Sequence, residues 1–277
     1  MQENYQPLAF YTTPKRQYHN RYRAFGNYLP VYAPEGNLIP FQIYSDHPQS
    51  ALGNIFLVDV NTGVKTNIKS QILPFIQFAE RYVIYNGGLR LNIPFGLYYL
   101  EVNVNVLTPA WAVVTYTSEI INICENRGFI KLTWWNDTDF ELPEYSFINF
   151  GTGFRFFTYL KTEMGKPLYK FIDTVHVRNG IPFPEELISI KQYQFEVISG
   201  EPFFDGLRTV RLYQNIIIED DILIKVFAMD MSEVTWDDVG YSGAVTITIT
   251  PDNVVRAIGT GRRLTKDFNR DFNNDFL

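Results

Sequence analysis

Four pairs of carboxylates lie close together in the sequence: Asp137/Asp139, Glu185/Glu186, Asp220/Asp221 and Asp237/Asp238. A glycosidase needs two such groups about 5–10 Å apart across a sugar cleft, one to give a proton and one to act as base or nucleophile. Each pair here sits beside turn residues, where solvated acids are the default. Trp134, Trp135 and Trp236 have rings that suit stacking on sugars, and suit a core equally well. His176 alternates with Val175 and Val177 and reads as a strand residue; the other histidines are His19 and His47. Cys124 is the only cysteine, which excludes an intrachain disulfide and a Cys-based zinc site. The nucleophile elbow, the two-histidine zinc helix and the Walker A loop do not occur in the sequence. Gly151-Thr152-Gly153 and Gly259-Thr260-Gly261 lack the third glycine of a dinucleotide loop and read as turns. Asp267, Asn269 and Asp271 have the spacing of a calcium loop, but Phe272 stands where that loop needs glycine, and its bidentate glutamate would fall past Leu277. Asn136-Asp137-Thr138 matches the N-glycosylation pattern, which is idle without a signal peptide. We therefore expect no catalytic, cofactor or metal residues, and a protein that is not an enzyme.

The elements that would position these residues are strands. The chain has 277 residues, enough for two domains of ordinary size, and 46% of them are hydrophobic against 19% charged, which rules out wholesale disorder. Its 23 Phe and 18 Tyr, with abundant Ile and Val, favour a pleated, half-buried surface. Short apolar runs alternate with turn residues from 38 to 123, as in a β-sandwich. Residues 54–60 and 64–68 flank Asn61-Thr62-Gly63 and predict a hairpin. Residues 81–85 and 89–93 flank Asn86-Gly87-Gly88 and predict a second. Residues 95–104, 112–116 and 120–123 complete the set. The segment 124–128 is the expected boundary. Beyond it, strands are expected at 129–135, 154–161, 168–177 and 188–197, with Ile190, Gln192, Gln194 and Glu196 on one face. Residues 202–214 predict the one helix, with Phe204, Leu207 and Arg211 at helical spacing. A hairpin at 216–228 and strands at 244–250 and 254–258 follow. The fold class is thus mainly β: two β-sandwich-like domains, 29–126 and 127–258, with one short helix in the second.

The two ends differ from the body. Residues 1–28 carry a net +3 and residues 259–277 a net +1, so the body carries −10 of the total −6. An acidic body with a basic arm does not read as a nucleic-acid binder; it suits an arm that docks on acidic surfaces, copies of itself included. Seven aromatics punctuate 1–28, whereas disordered tails are poor in them. We expect an extended arm that orders on a partner, with Tyr5, Phe10, Tyr11, Arg16, Tyr18, Arg21 and Tyr22 as anchors. In the tail, 259–277, Phe268, Phe272 and Phe276 recur every four residues and would share one stripe of a helix. That helix is too short to fold alone and needs a surface to dock on. No apolar run is long enough for a membrane span or has the form of a signal peptide.

Several segments taken together carry a resemblance. They are Gly96-Leu97-Tyr98-Tyr99-Leu100, Tyr116-Thr117-Ser118-Glu119-Ile120 and Ile130-Lys131-Leu132-Thr133-Trp134-Trp135-Asn136. Phe157-Thr158-Tyr159-Leu160, Gly165-Lys166-Pro167-Leu168-Tyr169-Lys170-Phe171 and Arg178-Asn179-Gly180 follow, then Lys191-Gln192-Tyr193-Gln194-Phe195. Leu207-Arg208-Thr209-Val210-Arg211-Leu212 and Val245-Thr246-Ile247-Thr248-Ile249 close the series. In this order and spacing the chain resembles virion structural proteins of tailed phages and prophages of gut Bacteroidota, including crAss-like phages, over about residues 30–258. The resemblance implies a β-rich component of a tail, neck ring or baseplate, made in the host cytoplasm and located in the virion. Its partners would be copies of itself and other tail or neck proteins, with no nucleic acid, membrane, cofactor or small-molecule ligand. A glycan-binding β-sandwich adhesion module is the alternative, with the three tryptophans as its platform.

Overall fold

Asp59 shows how the sequence builds the strands locally. Its Oδ1 accepts the N–H groups of Asn61 at 2.8 Å and Thr62 at 2.7 Å. Gly63 then takes φ +71°, where a side chain is rarely tolerated. The turn folds β4 (Ser50–Asp59) back on β5 (Lys65–Asn67), with Val58 opposite Lys65, as the sequence predicts. β14 (Asn215–Glu219) likewise returns antiparallel as β15 (Leu223–Met231), with Ile218 opposite Ile224.

These strands come from a computed structural model that describes residues 8, 10–12, 29–44, 50–71, 75–78, 82–85, 90–106, 112–137, 155–178, 181–220, 222–237, 242–252 and 255–258. The fold is mainly β with one short helix. The remaining strands of the main sheet are β2 (Val31–Pro34), β8 (Gly96–Val106), β9 (Ala112–Cys124), β10 (Ile130–Trp135), β11 (Phe156–Leu160), β12 (Leu168–Arg178), β13 (Ile181–Ser199) and β17 (Gly243–Pro251). They run in the order β12-β13-β17-β15-β14-β10-β11-β2-β9-β8-β4-β5. Three short strands attach beside this path: β1 (Phe10–Thr12) on β9, β16 (Thr235–Trp236) on β17 and β18 (Val255–Ile258) on β13. A separate three-stranded sheet has the order β3 (Phe41–Tyr44), β7 (Tyr82–Tyr85), β6 (Phe75–Phe78).

The turn at 124–128, the expected boundary, links β9 to β10. Hydrogen bonding continues past it, because β2 lies parallel to β9 and pairs on its other side with β11, Tyr32 opposite Tyr159. Apolar residues on both sides of the turn, from Leu8 to Ile249, form one contiguous core. Within it Trp134 and Phe156 stack at 5.7 Å, with Tyr213 edge-on to each at 6.3 and 6.0 Å.

Two local expectations are corrected. The strand at 82–85 does not pair with 89–93; Tyr85 lies between Phe41 and Phe75, and Arg90 bridges to Asn37. Gly36 decides this. Its carbonyl accepts the Leu91 N–H at 2.9 Å, and at its φ of +76° a Cβ would collide with the Leu91 carbonyl oxygen. The helix is also shorter than expected: α1 spans Glu201–Leu207, and a separate 3-10 turn covers Val210–Leu212. Gly206 is a poor helix former, and the Thr209 hydroxyl takes the Gly206 carbonyl at 2.8 Å, which favours ending the helix there. Phe204 and Leu207 are buried, while Arg211, read at the same helical spacing, points out to Asp230 at 3.1 Å.

Candidate interaction surface

The N-terminal segment enters the body. Phe10, Tyr11 and Thr12 pair with Ser118, Thr117 and Tyr116 of β9, just before the stretch of β9 that β2 covers. Alternation turns Leu8 and Phe10 inward. Leu8 is fully buried, and the Phe10 ring lies 4.9 Å from that of Phe41. Phe10 therefore belongs to this chain's own core, which corrects its reading as a contact for a neighbour. Tyr11, one residue on, is half-buried. Tyr5, Arg16, Tyr18, Arg21, Tyr22, Phe268, Phe272 and Phe276 lie outside the described residues, as do His19, His47 and the calcium-like repeat.

The residues that could do chemistry do not converge. Trp134 and Trp135 are adjacent on β10 and so face opposite sides of the sheet. Trp134 is a core ring; Trp135 is half-buried under the Arg155 guanidinium, 4.5 Å from its centroid. The Trp135 indole N–H donates to Asp137 Oδ1 at 3.2 Å, and Asp137 Oδ2 accepts from Asn215 at 2.8 Å. Trp236 is partly exposed and packs its edge on Phe204 at 6.1 Å. The three tryptophans therefore form no common platform. Asp137 is held by these donors as a structural acceptor. Each of the four carboxylate pairs has at least one member whose side chain lies outside the description. Asn136, in the glycosylation pattern, is buried, and its Oδ1 accepts the Gln214 N–H at 2.9 Å.

One groove, of about 670 Å³, is lined by Asn126, Lys131, Tyr159, Glu163, Glu219 and Asp220 among others. Lys131 lies 3.4 Å from Glu219 and over the Phe157 ring at 5.2 Å, so it is engaged within the sheet. Burial pushes the Tyr159 hydroxyl up to about 12, which keeps it a neutral phenol. Among the described residues no group of three metal-ligating side chains gathers, here or elsewhere.

The most distinctive surface is at the other end of the sheet. β12 is the terminal strand, eleven residues long, and among the described residues nothing pairs with its outer edge. Leu168, Tyr169, Phe171, Ile172, Val175 and Val177 along it are all exposed. On β13, Gln192 and Gln194 donate to Thr250 and Thr248 of β17 at 3.2 and 3.1 Å, so the outward face of the neighbouring strands is a polar ladder. The sequence does reveal 168–177 as a strand. The signal for its special position was there too: its apolar residues fall on both faces, although a strand with one wet face should alternate.

No protein-family model, curated protein or solved structure matches this chain.

Proposed function

We propose that the protein is a non-enzymatic structural component of a bacteriophage virion, in the tail, neck ring or baseplate, that assembles by extending its main sheet onto neighbouring subunits. The observation that carries this reading is the open edge of β12. An edge strand of this length presents a row of unpaired backbone donors and acceptors, a template for another chain. Proteins that stay monomeric blunt such edges with charge, proline or a bulge. β12 has Lys170 and Asp173 but five apolar residues between Leu168 and Val175, and its register irregularity comes only after Thr174. Main-chain pairing would supply affinity, and Leu168 and Ile172 beside the edge would fix the register. The resemblance of residues 30–258 to phage virion proteins supports the same reading.

Electron microscopy of the purified chain, with sedimentation velocity over a concentration series, tests it. Rings or short tubes are expected. A chain that remains monomeric and binds glycans on an array would replace the virion reading with that of an adhesion module.

A further inference from the structure

The main sheet has two ends, and they differ. β5 at one end is three residues long, and its Lys65 is bonded to Glu101 at 2.8 Å. A short edge carrying lysine resists pairing. β12 at the other end is eleven residues long. Leu168 and Ile172 on one side of it are exposed, and so are Tyr169, Phe171, Val175 and Val177 on the other. Apolar residues on both sides suit a strand that is covered on both. Extension head to tail, β12 on β5, therefore lacks a good acceptor. The strand that answers β12 is a second β12.

A two-fold axis between identical antiparallel strands runs normal to the sheet. Each side of β12 then meets the same side of its copy, and the axis passes through a residue position. Charge limits the choice, because like charges directly opposite are destabilising. An axis at Lys170 or Asp173 sets that residue opposite itself, and an axis at Thr174 sets Lys170 opposite Arg178. An axis at Phe171 pairs only residues 168–174 and sets Lys170 opposite Ile172. Axes nearer either end pair seven residues or fewer.

An axis at Ile172 pairs residues 168–176 of both copies and avoids these conflicts. Ile172 pairs with Ile188 of β13 in its own chain, and Ile188 is half-buried. The two-fold therefore lines up four isoleucines across the joined sheet: Ile188 and Ile172 of one copy, then Ile172 and Ile188 of the other. On the opposite side of the sheet Tyr169 meets Val175, an aromatic ring against a β-branched residue. Lys170 meets Thr174, and the strand register sets Glu186 behind Thr174. Glu186 thus stands about 10 Å from Lys170, two strand spacings away, with only a small side chain between. The charges are complementary in this register, and the symmetry makes the contact twice.

We infer that two copies of the chain join β12 to β12, antiparallel, about a two-fold axis at Ile172, so that two main sheets become one. This rests on the reading that the β12 edge assembles, and it names the strand that meets the edge. A two-fold contact closes on itself, so a ring or tube made of such pairs uses a second surface as well.

The test is symmetric disulfide formation. Ile172→Cys and Thr174→Cys are made separately in a Cys124→Ser background and oxidised at about 100 µM. Directly opposite residues of an antiparallel pair have Cα atoms about 4.5–5.5 Å apart, within the span of a disulfide. The two copies of Thr174 would lie about 14 Å apart, beyond it. Covalent dimer should form at least about tenfold faster in Ile172→Cys than in Thr174→Cys. Should Ile172→Cys fail to fold, a mixture of Lys170→Cys chains with Thr174→Cys chains decides. Mixed dimers support the register, and their absence refutes it. Equal rates for the two single variants, in a chain that sedimentation shows to associate, would overturn the two-fold pair and leave assembly through β12 standing. A chain that stays single at about 100 µM would overturn both, and would leave the edge to a different protein. Covalent dimers that build nothing larger would keep the pair and count against the ring, so the two readings fail separately.

Discussion

Phe10 and Phe41, thirty-one positions apart in the sequence, place their rings 4.9 Å apart and join β1 to the three-stranded sheet. Leu8 and residues 10–12 are thus a structural part of the body. Phe10→Ala removes one ring of this contact and leaves a cavity, at a cost of about 3 kcal/mol, the low end for a core phenylalanine because the site lies at the end of a strand. The isolated chain should melt about 5–10 °C lower. Deleting residues 1–12 should do at least as much. A truncated chain that melts like the full one would show that β1 contributes nothing to the fold.

The end of β10 is held by a reciprocal pair. Asn136 Oδ1 accepts the Gln214 N–H at 2.9 Å, and Gln214 Oε1 accepts the Asp137 N–H at 3.0 Å. Asn136 is buried, so Asn136→Ala leaves an inward-facing gap and frees the donor, for a loss of about 1–2 kcal/mol. Urea unfolding should show a lower midpoint with an unchanged slope. The same burial means that a glycan on Asn136 would require this clasp to open.

The elements most legible in the sequence were those fixed by local rules. Asp59, Asn61 and Gly63 specify their turn within five residues, and the 216–228 hairpin is read as directly. The alternation of Tyr193, Phe195 and Val197 against Gln192, Gln194 and Glu196 gives the inward side of β13 correctly. What failed depended on distant partners. Asn86-Gly87-Gly88 suggests that 81–85 pairs with 89–93, but Leu91 is claimed by Gly36 and Tyr85 by Phe41 and Phe75. Phe10 shows the same limit: its ring could serve a partner or a core, and only the gap beside β2 on β9 decides. The exposure of Phe171 follows from β12 being the last strand, which the apolar residues on both its faces signal and only the topology establishes.

Tyr159 makes stability fall at alkaline pH. Its pKa is raised from 10.0 to about 12, chiefly by burial, with the nearby negative charge of Glu219 acting in the same direction. The folded state therefore holds the phenol proton more tightly than the unfolded state does. The resulting stability is fully present below about pH 10 and is lost as pH rises through about 12. Tyr213 shifts in the same direction, also through burial. Tyr159→Phe should flatten part of this alkaline decline and leave the part due to Tyr213. Denaturant midpoints measured at intervals between about pH 8 and pH 12 would show it. An identical pH slope in Tyr159→Phe would mean that this phenol ionises as readily in the fold as outside it.

The open edge of β12 gives the most direct test of assembly. Leu168 and Ile172 lie on the even-numbered side of the strand, and both are exposed. Neither contributes much to the isolated fold, so Leu168→Lys and Ile172→Lys should each move stability by no more than about 0.5 kcal/mol. In an assembled edge the same changes place a hydrated ammonium where a neighbour's strand must approach, the device by which natural edges avoid pairing. Each should weaken association about tenfold, equivalent to about 1.4 kcal/mol, and the double substitution should leave mainly single subunits at concentrations where the unaltered chain forms rings. The check is sedimentation velocity of both variants beside their melting curves. Full-sized rings from the double variant, with the melts unchanged, would show that subunits meet through another surface and that the β12 edge is left open within the particle.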